Sequence, residues 1–330
     1  MRKGIVGLSS IALVAAALAG PSLVRADGLP IPRVNAKPGG VATRDGRVHY
    51  VTGSSGGRTV VARVNWATGE TTAWNRLPGR FSIPAVAVDG SPGGLSANGR
   101  VLALIKPRRT FPQSSTQLVV LDARRLEVRR RIHLQGDFSF DAISPDGNRI
   151  YLIQYLSRRD PTRYAVRAYN VRAAKLVAKP IIDPTEPDEQ MRGYPLTRVA
   201  SPDGRWQYTL YSGGDRPFVH ALDTRRATAR CIDLPHTIGN VYRDELRIDG
   251  DGTILSITNR NRGKLATVNA STFKVSTPAP DRRAPASGSS GAGTSTLPWV
   301  LIALGVGLVV AVASLWGVPR LHRRRLAREG

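Results

Sequence analysis

Five tight polar turns recur along the chain: Asp45-Gly46-Arg47, Asn98-Gly99-Arg100, Asp146-Gly147-Asn148, Asp203-Gly204-Arg205 and Asp251-Gly252-Thr253. They lie 48 to 57 residues apart, and each opens an apolar strand. A second series closes the strand that follows: Val64-Asn65, Leu121-Asp122, Tyr169-Asn170, Leu222-Asp223 and Val268-Asn269. Asp-Gly and Asn-Gly supply the left-handed backbone that short hairpins need. An Asp or Asn after a strand can bond its own backbone two residues on and start the next turn. A period near 50 made only of strands and turns confines the chain to a repeat architecture.

The strands narrow the choice. Ile150 to Tyr155 and Val101 to Ile105 are near-continuous apolar runs. An antiparallel sheet with one wet face alternates instead. A propeller blade is sandwiched between two others, so its middle strands bury both faces. Trp206, Tyr208 and Leu210 alternate with Gln207 and Thr209, which suits a strand nearer an edge. Each repeat then reads as a first strand before the turn, two central strands, and a fourth such as Val128 to Leu134 or Leu176 to Ile182. The expectation is an all-β chain, a β-propeller of about five four-stranded blades, with no helix of consequence before residue 297. A sixth blade stays open, because residues 27–38 and Ala85 to Val88 offer further strands.

Ser144-Pro145-Asp146-Gly147 and Ser201-Pro202-Asp203-Gly204, each followed by an aromatic-bearing strand, resemble the repeats of bacterial surface propellers. These are the YVTN-type and TolB-like relatives of the WD-repeat fold, and the resemblance covers roughly residues 39 to 276. It implies a propeller and no particular function, since propellers host scaffolds, lectins, lyases and hydrolases alike. Arg44-Asp45-Gly46 and Gly250-Asp251-Gly252 lack the Ser-Pro, so the first and last repeats depart from the pattern.

Both ends of the chain read as addresses. Residues 1–26 have a basic start at Arg2 and Lys3, an apolar core from Ile5 to Ala19, and small residues at Val24-Arg25-Ala26. That is the pattern of a cleaved secretory signal. Residues 297–318 are apolar and uncharged, with Trp299 and Trp316 near the two ends. A helix of that length spans a hydrocarbon core of about 30 Å. Arg320, Arg323, Arg324, Arg325 and Arg328 follow, so residues 319–330 are expected to stay cytoplasmic. Residues 27–276 then form the extracytoplasmic propeller. Residues 277–296, rich in Pro, Gly, Ser and Ala, form a disordered stalk. Leu297-Pro298-Trp299 does not supply the Leu-Pro-x-Thr-Gly of a sorting signal, which disfavours transfer to the cell wall.

The formal net charge is +24. Setting aside the three cations of residues 1–26, and the five Arg and one Glu of residues 319–330, about +17 belongs to the exported part. Such a surface is drawn to anionic wall polymers or lipid headgroups. Compositional bias toward Arg gives the same number without selection for binding. Nucleic acid is a poor fit for an exported, tethered domain. Cys231 is the only cysteine, which excludes an intramolecular disulfide; on a probable fourth strand it reads as a small buried hydrophobe.

No catalytic residue, metal site or cofactor is read from the sequence. Its five histidines have no ligand-like spacing. Asp249-Gly250-Asp251-Gly252 lacks the ligand count of a calcium loop, and no Gly-rich phosphate loop or nucleophile elbow appears. The candidate binding residues fall in three groups. Arg129, Arg130 and Arg131 form an anion patch or a charged strand edge. Arg216 and His220 belong to one strand region, where His220 reads as a buried structural histidine. Asp183, Glu186, Asp188 and Glu189 form an acidic cluster on a Pro-rich connection, read as a solvated loop or a partner- or cation-contacting one.

The leading function is a membrane-anchored extracytoplasmic binding or scaffold module. The alternatives are an exported hydrolase or lyase with its site at the channel mouth, and an accessory subunit of a membrane complex that engages another membrane protein. The side chains lining the central channel discriminate. Converging His, Asp and Glu favour an enzyme, and apolar or Arg-only lining favours binding.

Overall fold

The computed structural model describes residues 36–278, apart from 38, 189–190 and 215. The expected signal (1–26), nearly all of the stalk (277–296), the apolar span (297–318) and the Arg tail (319–330) lie outside the described residues. So does Glu189. Among the described residues no helix is long and apolar enough to cross a membrane. Helix amounts there to the three-residue 3-10 turn His236–Ile238.

Five antiparallel sheets follow one another along the chain, with consecutive strands as neighbours. The first holds Val41–Ala42, Val48–Ser55, Arg58–Asn65 and Thr71–Pro78. The second holds Val101–Ile105, Ser115–Asp122 and Val128–Gln135, and a Leu95–Leu102 bridge stands where a fourth strand would be. The third holds Phe138–Ile143, Arg149–Tyr155, Tyr164–Asn170 and Lys175–Leu176. The fourth holds Pro195–Ala200, Trp206–Tyr211, Phe218–Asp223 and Thr228–Asp233. The fifth holds Asp244–Ile248, Ile254–Asn259, Gly263–Asn269 and Val275–Ser276.

The repeated turns form by one hydrogen-bond pattern. Ser144 Oγ donates to Asp146 Oδ1 at 2.6 Å and accepts the Arg149 N–H at 2.9 Å. Asp146 Oδ1 also accepts the Asn148 N–H at 3.0 Å. Ser201 with Asp203 and Ser96 with Asn98 repeat these contacts. Where the sequence departs, chemistry substitutes. Thr43 takes the serine's place beside Asp45, and in the last repeat Asp249 accepts the Ile254 N–H. Gly147, with φ 76, closes the turn in a region that L side chains rarely adopt.

The second series of polar residues starts turns as expected. Asp122 Oδ1 accepts the N–H groups of Arg124 and Arg125, and Asn65, Asn170, Asp223 and Asn269 behave alike. Four residues after each, the backbone is left-handed: Gly69, Leu126, Ala174, Ala227 and Phe273. Only the first is a glycine.

Apolar clusters join neighbouring sheets pairwise. Leu102 and Leu104 pack toward the first sheet with Tyr50 and Val61, while Val101 and Ala103 pack toward the third with Phe140 and Ile150. Val101–Ile105 is therefore buried throughout, as its unbroken apolar run implies. Further clusters link third to fourth sheet (Tyr151, Leu222) and fourth to fifth (Tyr208, Val219, Leu255). Each fully buried Leu or Val contributes about 1.5–3 kcal/mol. One expectation is corrected. Trp206–Tyr211 is an interior strand, not an edge. Of its two alternating polar residues, Thr209 is wholly buried and accepts from Arg198, while Gln207 is half-buried.

Residues from the first strands of the first, third and fourth sheets (Val41–Ala42, Phe140–Ile143, and Arg198 with Ala200) line one cavity, the hub, as first strands do in a β-propeller. Residues 84–93 cross it. Ala85 bridges Pro92, and the Val86 N–H donates to the Ser91 carbonyl at 2.8 Å. The tip bonds across the hub: Val88 N–H to Pro195 O at 2.8 Å, Asp89 N–H to Leu196 O at 3.1 Å, and Lys37 N–H to Gly90 O at 2.8 Å. Ala85 to Val88 thus build a plug rather than a sixth blade.

Candidate functional site

The turns 43–45, 96–99 and 201–204 lie at the same end of their sheets and surround a cavity of about 820 Å³ at the hub. Roughly 300–1,000 Å³ is the range of ligand pockets. The plug forms part of its wall through Val86 and Pro92 to Gly94. The first strand of the third sheet supplies Phe140 to Ile143, and that of the fourth supplies Arg198 and Ala200.

Asp141 and Arg198 are the ionisable pair inside it. Their side chains are 1% and 5% exposed. Arg198 donates to the Asp141 carboxylate and main-chain carbonyl, and its Nε donates to Thr209 Oγ1 at 2.7 Å. Such a pair is retained only where hydrogen bonds offset its desolvation. Arg44 and Asp45 sit at the rim. The Thr43 hydroxyl and Arg47 N–H hold the Asp45 carboxyl below its usual value. The one hydroxyl–carboxylate contact among the described lining residues, Thr43 Oγ1 to Asp45 Oδ1 at 2.7 Å, belongs to the turn, and no group of three His, Cys, Asp or Glu among them could hold a metal.

Beyond this pair lies a buried aromatic and polar layer. Tyr211 stacks on Phe218 with centroids 5.0 Å apart and meets His220 edge-on at 6.1 Å. Burial lowers His220 to about 4, with Asp141 opposing and Arg198 adding to the fall. The imidazole is therefore neutral in ordinary media, which fits a structural role.

The opposite end of the Phe138–Ile143 strand carries a second buried pair, Arg108 with Asp137. A cavity of about 560 Å³ adjoins it, lined by Gln113, Asp137 and Tyr155 among others. Burial pushes the Asp137 carboxyl above its usual value, although Arg108 and the Gln113 N–H pull the other way.

The candidates read from the sequence do not converge. Arg129 to Arg131 lie on the outer strand of the second sheet, with Arg129 bound to Asp122. Arg216 is exposed and pairs with Asp233 at 2.8 Å. His220 is buried within the fourth sheet. Asp183 is buried and spent on structure: it accepts from Thr185, from the Cys231 N–H and from Arg230. Glu186 and Asp188 are exposed nearby. Cys231 is half-buried on the outer strand of the fourth sheet. Sequence reading missed Asp141 and Arg198. The signal available was weak: Asp141 interrupts the apolar run Phe138 to Ile143, and Arg198 interrupts Leu196 to Ala200.

No family model and no curated protein matches the chain. Solved structures similar to it include the β-propeller domain of Cps50 (Swd1) from Myceliophteria thermophila, at 12% identity and a TM-score of 0.43, covering 74% of this chain and 71% of that one. A putative TolB from Agrobacterium tumefaciens gives 14% and 0.41, covering 71% and 70%. TolB from Acinetobacter baumannii gives 13% and 0.42, covering 69% of this chain; the match spans 50% of that protein.

Proposed function

We propose that this chain is a membrane-anchored extracytoplasmic binding module whose ligand sits in the hub cavity. The observation that carries the reading is the lining. The plug walls the cavity, and the ionisable pair inside it is mutually neutralised and held by further hydrogen bonds. An Asp bound to Arg and buried beside it is poorly placed for proton transfer, whereas walls of turn backbone and small residues suit recognition. The apolar segment 297–318 and its Arg flank support the anchor, and the start of the chain supports export.

Methyl NMR of the full chain titrated with a fragment library tests the site. Shifts concentrated at Val86 and Ile143 are expected; shifts confined to the outer strands would overturn it. Protease added to intact cells tests the topology. Digestion of residues 27–276 is expected, and full protection would refute export. A second reading, adsorption to anionic wall polymers or headgroups, is favoured by the exposed Arg129 and Arg131 on a strand edge.

A further inference from the structure

We infer that a cavity of about 240 Å³, lined by the loop 106–114 and the start of Ser115–Asp122, binds a doubly charged oxyanion of the phosphate-monoester class through Lys106 and Arg109. It shares no lining residue with the hub cavity, so it stands or falls independently of the binding reading above.

The strand register places the site. In the second sheet Leu102 pairs with Leu121 and Leu104 with Val119, and all four pack toward the first sheet. One step further along, the Lys106 N–H donates to the Gln117 carbonyl at 2.9 Å. By strand alternation Lys106, Gln117 and Ser115 continue that face, which turns there from apolar to polar. The loop beyond is pinned from its inner side. Arg108, 5% exposed, donates to the Asp137 carboxylate and to Ser139 Oγ at 3.3 Å, and its guanidinium lies 4.8 Å from the centre of the Tyr155 ring. The Gln113 N–H donates to Asp137 Oδ2 at 2.9 Å. Lys106 and Arg109 are left exposed on a loop that is already ordered, so a ligand does not bear the cost of ordering it.

Charge decides the class of ligand. Of the three cations on this loop only Arg108 is neutralised. Among the described residues neither Lys106 nor Arg109 makes an ion pair or a side-chain hydrogen bond. From Gly90 to Leu121 the chain has no Asp or Glu, and none is among the described residues that line the cavity. The other polar lining groups, the Thr110 and Ser115 hydroxyls and the Gln113 and Gln117 amides, can all donate. A cation is repelled here. A monoanion leaves one of the two positive charges unmatched. A phosphate monoester carries about −1.5 to −2 at pH 7 with three acceptor oxygens, which suits two cations and a ring of donors. The volume lies below the roughly 300–1,000 Å³ of small-molecule pockets, so the anionic group itself is what enters.

Calorimetric titration of the purified full chain, in an uncharged detergent at constant low ionic strength, tests this. The probes are inorganic phosphate, sulfate and glycerol phosphate, with acetate and dimethyl phosphate as monoanions. The dianions are expected to bind, and the monoanions about fivefold or more weakly. Lys106→Gln and Arg109→Gln should each weaken phosphate binding about tenfold. Both positions are exposed, so the variants should fold. Arg172→Gln removes the same charge from an exposed turn outside the cavity and should leave the affinity unchanged. Vesicles of phosphatidic acid in phosphatidylcholine, set against phosphatidylglycerol in phosphatidylcholine, distinguish the source. Preferential recruitment by phosphatidic acid marks a lipid phosphate, and soluble binding without it marks a free one. Any of four results overturns the inference: no dianion bound up to about 10 mM, monoanions bound equally well, wild-type affinity in Lys106→Gln or Arg109→Gln, or an equal loss in Arg172→Gln, which would mean diffuse attraction to a basic surface.

Discussion

Asp89 accepts a hydrogen bond from Lys37 Nζ at 3.2 Å, across 52 residues of chain, and so fastens the tip of the central hairpin to the segment that enters the first sheet. The same carboxylate caps its own turn, accepting the Ser91 N–H at 2.9 Å and hydroxyl at 2.6 Å.

These two duties differ in weight. The ion pair is open to solvent, so Lys37→Ala should lower stability by less than about 0.5 kcal/mol. Asp89→Ala also removes the cap and should lose about 1–2 kcal/mol. Urea denaturation of both variants checks this; a larger loss in Lys37→Ala would reverse the assignment.

The Asp141–Arg198 pair should show strong coupling. Asp141→Ala strands a buried guanidinium and should cost about 3–5 kcal/mol. Replacing both partners, Asp141→Leu with Arg198→Met, should recover most of that loss. A double-mutant cycle reads the coupling. Additive losses would mean that each residue acts through other contacts.

Stability should fall on mild acidification because of His220. Its folded value is about 4, against about 6.5 when unfolded. Below pH 6.5 the unfolded chain binds a proton that the folded chain refuses, so stability declines until pH 4, by up to about 3 kcal/mol. Asp137, raised by burial, works in the opposite direction in acid. Asp146 and Asp203 are held low, since the Ser144 and Ser201 hydroxyls and backbone N–H groups outweigh burial. Their stabilisation is lost only below about pH 4. His220→Gln, compared with wild type by denaturation at pH 7.5, 6.5, 5.5 and 4.5, should flatten the limb between 6.5 and 4. Parallel curves would exclude His220.

The left-handed residues after the second turn series differ in what their side chains do. Ala174 is exposed at φ 53, so Ala174→Gly should stabilise by about 0.5–1 kcal/mol. Leu126 has the same kind of backbone at φ 59 but is wholly buried. Leu126→Gly should destabilise by about 2–4 kcal/mol. Thermal unfolding of the pair checks the opposite signs.

If the positive surface is functional, the full chain should bring anionic vesicles to itself at low salt and release them as salt rises, since exposed charges are screened beyond about 10 Å at 0.1 M. Replacing Arg129, Arg130 and Arg131 by Gln should weaken co-sedimentation several-fold. Indifference of the wild type to headgroup charge would leave the Arg content as compositional bias.

Much of the sheet architecture was legible because the turn chemistry is local. Ser-Pro-Asp-Gly makes its turn from contacts within five residues, and Asp122 or Asn170 starts the next by bonding its own neighbours. Thr43 and Asp249 escaped that reading because the hydrogen-bond role survives a change of residue. The site was not legible, for the opposite reason. Arg198 and Asp141 stand 57 residues apart and meet only because two sheets converge. The plug was misread as possible strand because Ala85 to Val88 has strand composition; its partners, Pro195 and Leu196, lie far along the chain.

The hairpin that crosses the hub also sets a timetable. Val88 and Asp89, at the tip, find their partners only once residues 195–196 exist, so the centre cannot be finished while the first three sheets are emerging. Non-local closure of this kind is slow, and it leaves intermediates with exposed apolar faces. Val86 is covered by the second and third sheets, but a chain that waits with Val88 uncovered is the state a holdase would recognise. Substitutions in the hairpin should therefore reduce yield more than they reduce the stability of molecules already folded.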